Sequence, residues 1–297
     1  MSEEASGGLR HFLDVGDLDG GELAQVLELA RRPPGNRRPL AGRGVALLFE
    51  KPSNRTRVSM EMAVVALGGH PVSIRGDEVG IDSREPAEDV ARSLSAYVAV
   101  IAARVFEHRR LERLAASAGV PVVNLLSDSA HPCQVLADLL TLRAHFGELG
   151  GRTLAWIGDG NNVCRSLMAG AALAGMVMRV ATPPGFEPPP SPAAELTSDP
   201  FEAVKGADAV YTDVWASMGQ EDQAAERRAA FAGFTVDDDL MAAAGPDAVF
   251  LHCLPAHRGE EVSASVVDGP RSLVWEQSAN RLPAQRALLE WILGARP

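Results

Sequence analysis

Gly44-Val45-Ala46-Leu47-Leu48-Phe49 is an unbroken apolar run that follows a glycine and stops at Pro52-Ser53-Asn54. A run of this length suits a strand buried on both faces. Val58, Met62, Val65 and Ala66 then recur at helical spacing, and Gly68-Gly69 end the helix where positive φ is favoured. Strand, polar turn and helix together make the opening of a wound α/β unit. Ser53-Asn54-Arg55-Thr56-Arg57 therefore lie at a helix N-terminus, where free backbone N–H groups and the positive end of the helix dipole favour an anion. Two arginines and two hydroxyls add charge-assisted donors whose fork geometry matches a phosphate. A plain N-cap by Ser53 or Asn54, with both arginines in water, accounts for the same residues. The turn alone leaves both readings open.

The pattern recurs along the chain. Leu23, Val26, Leu27 and Ala30 mark an amphipathic helix closed by Pro33-Pro34. Strands are expected at residues 72–74, 98–103 and 120–124, with helices at 88–97 and 111–118 and an aperiodic, charged loop at 75–86. His131 opens a helix reaching about Phe146. A second strand-first unit follows: a strand at 154–157 ending in Gly158-Asp159-Gly160-Asn161-Asn162, then strands at 176–181, 209–212 and 248–251. Residues 183–192 hold six prolines and exclude a helix. A polar helix is expected at 221–231 and a final helix at 283–292, apolar at Ala287, Leu288 and Trp291. Alternating strands and helices imply parallel, wound sheets, and 297 residues are ample for two domains.

The net charge of −11 argues against nucleic acid or an anionic membrane as partner, so an anionic substrate needs a local basic pocket. Lys51 and Lys205 are the only lysines, and arginine carries the positive charge. MSEEASGG lacks the basic and apolar regions of a signal peptide, and no later run is long enough to span a bilayer. Three scattered cysteines form neither a disulfide framework nor a metal-ligand pattern, and cytoplasm is the expected compartment. The Gly158–Asn162 turn has Val163 where a dinucleotide fingerprint needs its third glycine, and no acidic residue ends the next strand. Neither a nicotinamide cofactor nor a metal is expected.

Four strings beyond the first turn decide between its two readings. They are His131-Pro132-Cys133-Gln134, Asp213-Val214-Trp215-Ala216-Ser217-Met218-Gly219, His252-Cys253-Leu254-Pro255 and Glu276-Gln277-Ser278-Ala279-Asn280-Arg281. With Ser53-Asn54-Arg55-Thr56, they resemble the ornithine carbamoyltransferases in order and approximate spacing, from about His11 to Leu293. HCLP and SMG are the most specific parts, because Ser-x-Arg-Thr and HPxQ also occur in aspartate carbamoyltransferases. The resemblance implies two wound parallel-sheet domains joined by interdomain helices. Residues 1–134 would bind carbamoyl phosphate, 135–279 would bind ornithine, and a C-terminal helix in 280–297 would return to the first domain.

The resemblance also implies roles. Ser53, Asn54, Arg55 and Thr56, with Arg57 beside them, would hold the phosphoryl oxygens, and Arg104 would bridge phosphate and carbonyl oxygen. His131 and Gln134, one helical turn apart, would face the carbamoyl group. Arg281 would reach back to carbamoyl phosphate. Asn162 and Asp213 would take the backbone groups of ornithine, with Ser217 and Met218 closing over them. Cys253 would sit by the δ-amine, with the Cys253 and Leu254 carbonyls orienting its lone pair, and Arg104, His131 and Cys253 form the implied catalytic set. No side chain attacks, since the departing phosphate can take the amine's proton. A homotrimer, or a multiple of trimers, is also implied.

Two departures stand out. Asn54 replaces a threonine, and Glu78 stands where the family's glutamine reaches carbamoyl phosphate of a neighbouring subunit; Ser83 or Arg84 could substitute. The region after the proline run is also short. A different amine acceptor, such as a modified ornithine, and a non-catalytic binding relative remain alternatives. Arg55→Ala is expected to weaken carbamoyl phosphate binding at least tenfold, since a buried charge-assisted contact is worth about 1.5–3 kcal/mol. Calorimetry checks this, and unchanged affinity would contradict the phosphate assignment.

Overall fold

The computed structural model describes residues 9–294 except Pro34, Asn36 and residues 217–220. Its contacts divide the chain into two units. One runs to Cys133 and resumes at Leu282, and the other spans Gln134–Arg281.

The first unit comprises α1 (Gly20–Arg31), β1 (Gly44–Phe49), α2 (Asn54–Ala66), β2 (His70–Arg75), α3 (Gly76–Val79), α4 (Ala87–Ser95), β3 (Val98–Arg104), α5 (His108–Ser117) and β4 (Val122–Leu126). Its four strands are all parallel, in the order β2-β1-β3-β4. Leu48, Ile101 and Ala103 from the sheet pack with Val90, Leu111 and Leu114 of the α4–α5 layer. Residues from Leu282 belong to the C-terminal helix Arg281–Ile292, which Arg286 fastens to the end of α1 by donating to the carbonyls of Leu29 at 2.9 Å and Arg32 at 2.7 Å.

The apolar spacing in α2 points the wrong way. Val58, Met62 and Val65 are 50%, 47% and 46% exposed, whereas Thr56, Met60, Ala63 and Val64 are buried. Both faces of α2 carry apolar groups, so periodicity marks a helix there without marking its core side. The strand expected at 120–124 lies two residues later, because pairing with β3 starts at Val122. The stretch expected as a loop contains α3, closed by Gly80 at φ +63°.

The second unit begins within the first turn of α6 (Pro132–Phe146). It continues through β5 (Thr153–Ile157), α7 (Asn162–Leu173), β6 (Val177–Ala181), β7 (Glu195–Thr197), α8 (Pro200–Val204), β8 (Ala209–Thr212), α9 (Ala224–Ala230), α10 (Asp238–Ala243), β9 (Val249–His252), α11 (Ala264–Val267) and α12 (Val274–Ala279). Its five parallel strands run β7-β6-β5-β8-β9. Phe231 sits in an aromatic cluster with Phe186, Trp215 and Phe234, packed against Val210 and Phe250 of the sheet. The polar helix expected at 221–231 is a 3-10 turn, Glu221–Gln223, followed by α9. No helix of the described residues is long and apolar enough to cross a membrane.

Arg113 ties α4 and α5 to the preceding loop. It donates to Glu88 at 2.7 and 2.6 Å and to Asp82 at 2.8 and 2.9 Å. The hydrogen bond from Arg113, ahead of every other cause, lowers the Glu88 pKa to about 2. A carboxylate depressed on folding adds stability above its unfolded pKa and loses it as pH falls through the folded value. That contribution is therefore lost from about pH 4.5 toward 2. Arg113→Gln is expected to start acid unfolding at higher pH, read by circular dichroism; an unshifted acid limb would show that the clamp does not couple to folding.

Candidate functional site

In the first unit, β1 and β3 are neighbours in which Phe49 pairs with Arg104. Strand order reverses there, since β2 flanks β1 and β4 flanks β3. The chain leaves the two carboxyl ends in opposite directions and opens a crevice, which is where wound sheets bind ligands. Ser53 caps α2, its Oγ accepting from the Thr56 N–H at 3.3 Å. Capping and anion binding use different N–H groups, so the cap does not cancel the site. Thr56 is buried, Arg55 half-buried and Asn54 exposed. Arg57 instead pairs with Glu61 at 3.4 Å on the exposed side of α2, so it goes with the solvated reading.

Arg104 ends β3 and is buried, and His131, also buried, immediately precedes α6. Lys51 completes the basic group. Burial, followed by the charge of Arg104, lowers its pKa, and its Nζ lies 4.5 Å from the Phe106 ring centre. Glu78 is turned onto its own backbone: it accepts from the Arg75 N–H at 3.1 Å, while Arg84 donates to the Glu78 carbonyl at 3.1 Å. Ser83 donates to the Gly80 carbonyl at 3.0 Å.

The second unit repeats this logic. β5 and β8 are the neighbours at the reversal, with Ile157 opposite Thr212, so the Gly158–Asn162 turn and Asp213 leave adjacent strand ends. Gly160 is required by close approach, because a Cβ there would lie 2.2 Å from Pro188 N of the proline-rich segment. Asn161 caps α7 through Oδ1, accepting from the N–H groups of Val163 at 2.9 Å and Cys164 at 3.1 Å. Its Nδ2 donates to Asp213 Oδ2 at 2.8 Å. The other oxygen of Asp213 accepts from Cys253 Sγ at 2.9 Å and from the Val214 N–H at 2.8 Å. Asn162 is the first residue of α7 and half-buried. Ser217 and Met218 lie outside the described residues.

His252 sets the turn that presents Cys253. Its Nδ1 accepts from the Leu254 N–H at 2.8 Å, so the ring proton sits on Nε2, which faces Glu261 Oε1 at 3.3 Å. Leu254 adopts φ +59°, a left-handed conformation that a bulky side chain seldom takes. Ligand atoms of Asp213, His252 and Cys253 fall within 4.8 Å of one another, as do those of His257, Glu260 and Glu261. In both groups the chain already uses them: Asp213 holds Cys253, His252 holds Glu261, and Glu260 pairs with Arg228 at 3.1 Å. Gln134 and Arg281 meet in the same unit, Arg281 donating to Gln134 Oε1.

The family described as aspartate/ornithine carbamoyltransferase, carbamoyl-P binding domain, matches residues 10–144. Its Asp/Orn binding domain counterpart matches residues 150–292. The chain belongs to the aspartate/ornithine carbamoyltransferase family. It is 53% identical to the ornithine carbamoyltransferase of Acidothermus cellulolyticus over 306 residues, covering 97% of each chain. The crystal structure of the Thermus thermophilus ornithine carbamoyltransferase matches with a TM-score of 0.87 at 49% identity, covering 95% of this chain and 98% of that one. The Pyrococcus furiosus ornithine carbamoyltransferase matches with a TM-score of 0.92 at 44% identity, over 99% and 100% of the two chains.

Within this carbamoyltransferase fold, several residues that support the candidate site were invisible to sequence reading. Asn161 was hidden behind Asn162, although an asparagine just before a helical run is an N-cap signal. Arg227 read as part of a polar helix, yet it is buried and donates to Asp159 at 2.8 Å and to the Trp215 carbonyl at 2.7 Å. Burial raises the Asp159 pKa, with Arg227 opposing. Glu261 follows a glycine and another glutamate in an ordinary charged stretch, and only folding brings it under His252.

Proposed function

We propose that this protein transfers the carbamoyl group of carbamoyl phosphate to the δ-amine of L-ornithine, giving L-citrulline and phosphate. The Cys253–Asp213 hydrogen bond carries the acceptor assignment. It sets a carboxylate suited to an α-ammonium beside a thiol suited to an amine, at the ends of neighbouring strands β8 and β9. Full-length kinship with proteins named ornithine carbamoyltransferase supports the same reading.

By the resemblance, Ser53, Asn54, Arg55 and Thr56 are assigned to the phosphoryl oxygens, Arg104 to the bridging and carbonyl oxygens, His131 to the carbamoyl group, and Gln134, Arg281 and Leu254 to carbamoyl phosphate. Asn162 and Asp213 are assigned to the amino-acid end and Cys253 to the δ-amine; Ser217 and Met218 complete that set. Preformed donors stabilise charge developing on the carbonyl oxygen without reorganising during the reaction. The amine attacks uncharged and its proton leaves with phosphate, so Cys253 positions and does not form an acyl intermediate.

Asp213→Asn is expected to lower ornithine affinity at least tenfold and leave carbamoyl phosphate binding near wild type. Steady-state kinetics with ornithine against 5-aminopentanoate, which keeps the δ-amine and carboxylate but lacks the α-ammonium, check this. Unchanged preference for ornithine would refute the acceptor assignment, and citrulline-free turnover of carbamoyl phosphate would refute the reaction.

We place the reaction in cytoplasmic arginine biosynthesis and the chain in a homotrimer or a multiple of trimers. The exposed Val58, Met62 and Val65 face of α2, beside edge strand β2 with Val72 also 40% exposed, supports assembly. Met62→Glu is expected to shift the mass by light scattering from trimer to monomer. A trimer unaffected by that charge would rule this face out as the contact.

A further inference from the structure

Asp138 is one turn beyond Gln134 on α6 and wholly buried, and no role in the reaction assigned above uses it. Its Oδ1 accepts from Gln134 Nε2 at 2.8 Å and from Gln277 Nε2 at 2.6 Å. Its Oδ2 accepts from the Tyr211 hydroxyl at 3.2 Å. Gln277 also donates to the Tyr211 oxygen at 2.9 Å, and its own carbonyl accepts from the His252 N–H at 3.0 Å. Tyr211 stacks on Trp156 at 5.1 Å between ring centres, which fixes the phenol.

The polarity of Gln134 follows from this cluster. An ionised carboxylate only accepts hydrogen bonds, so the end of the Gln134 amide that faces Asp138 must be its NH2. The other end, Oε1, is then held outward and accepts from Arg281. A carbonyl oxygen has two lone pairs, so one acceptor position remains on Oε1. Arg281 only donates and favours the same polarity from its side, but without the buried acceptor on α6 the Gln134 NH2 would lose its partner and the side chain its fixed position.

We propose that Asp138 is a positioning residue that locks Gln134 as a hydrogen-bond acceptor and thereby selects a ligand bearing an N–H where the carbamoyl amine lies. The inference rests on the carbamoyl phosphate reading. It adds a specificity for the amine end of that ligand, against an isosteric acyl phosphate whose methyl group cannot donate. A buried site built to pair with a donor rejects the analogue that lacks it, because the acceptor is left unpaired. The carboxylate resists ionisation, its pKa raised to about 6 by burial while hydrogen bonds from Gln277 and Gln134 and the charge of Arg281 oppose. Those partners keep it an acceptor at neutral pH.

The test compares affinities for carbamoyl phosphate, acetyl phosphate and inorganic phosphate by calorimetry on the purified full-length protein. Wild type is expected to bind carbamoyl phosphate at least tenfold more tightly than acetyl phosphate. In Asp138→Leu that ratio is expected to fall toward one with inorganic phosphate affinity unchanged. Asp138→Asn keeps an acceptor oxygen toward both glutamines, with its NH2 toward the Tyr211 oxygen, and is expected to retain the ratio. A tenfold ratio surviving in Asp138→Leu overturns the proposal, as does its loss in Asp138→Asn. Should the leucine variant not fold, the wild-type comparison still decides: equal affinity for the two acyl phosphates overturns the positioning role. A wild type that binds neither acyl phosphate refutes the carbamoyl phosphate reading itself.

Discussion

Each unit of this protein depends on hydrogen bonding between two parallel strands whose connections leave in opposite directions. Phe49 opposite Arg104 is one such pairing, and Ile157 opposite Thr212 is the other. A parallel ladder aligns carboxyl ends on one edge, and the reversal of strand order prevents the crossover helices from covering that edge. The polar turns therefore fall on the edge that the crossover helices leave open, whatever side chains the turns carry. Sequence then specialises each edge: arginine and hydroxyl groups in the first unit, carboxylate, amide and thiol in the second.

Much of this was legible before folding because it is local. A strand followed by a Ser-x-Arg-Thr turn and a helix needs no distant contact to be recognised, and the doubled βα pattern indicated two parallel sheets. Motif order supplied the ornithine carbamoyltransferase resemblance, and the family assignment follows from the matches to both halves. The misses share a cause. The core side of α2 is set by which face meets the sheet, and Val58, Met62 and Val65 satisfy helical periodicity equally well pointing outward. Arg227, Glu261 and Asp138 were ordinary charges in ordinary helices and turns. Their significance comes from partners far away in the chain, as with Gln277 and Asp138, which are 139 residues apart.

The second unit concentrates buried polar groups that would be costly singly. Asp138, Asp159 and Asp213 are all at most 9% exposed. Each has hydrogen-bond donors supplied by a different element, so desolvation is offset by specific geometry and not by proximity of opposite charge alone. Such networks specify one arrangement of side chains more strictly than an apolar core, since a half-satisfied network is worse than none. Rigidity at the candidate acceptor site is thus built from the interior outward.

Arg227 illustrates what that construction implies for change over generations. One planar guanidinium holds the Asp159 carboxylate and the Trp215 carbonyl together, and its face lies 5.0 Å from the Phe186 ring centre. Both bonds leave one nitrogen, Nη1, so what a lysine ammonium would lack is the flat face that lies over the ring. Loss of Asp159 alone would strand a buried cation, and loss of Arg227 alone a buried anion. The two positions, 68 residues apart, are therefore coupled, and a change at one is expected to be tolerated best with a change at the other.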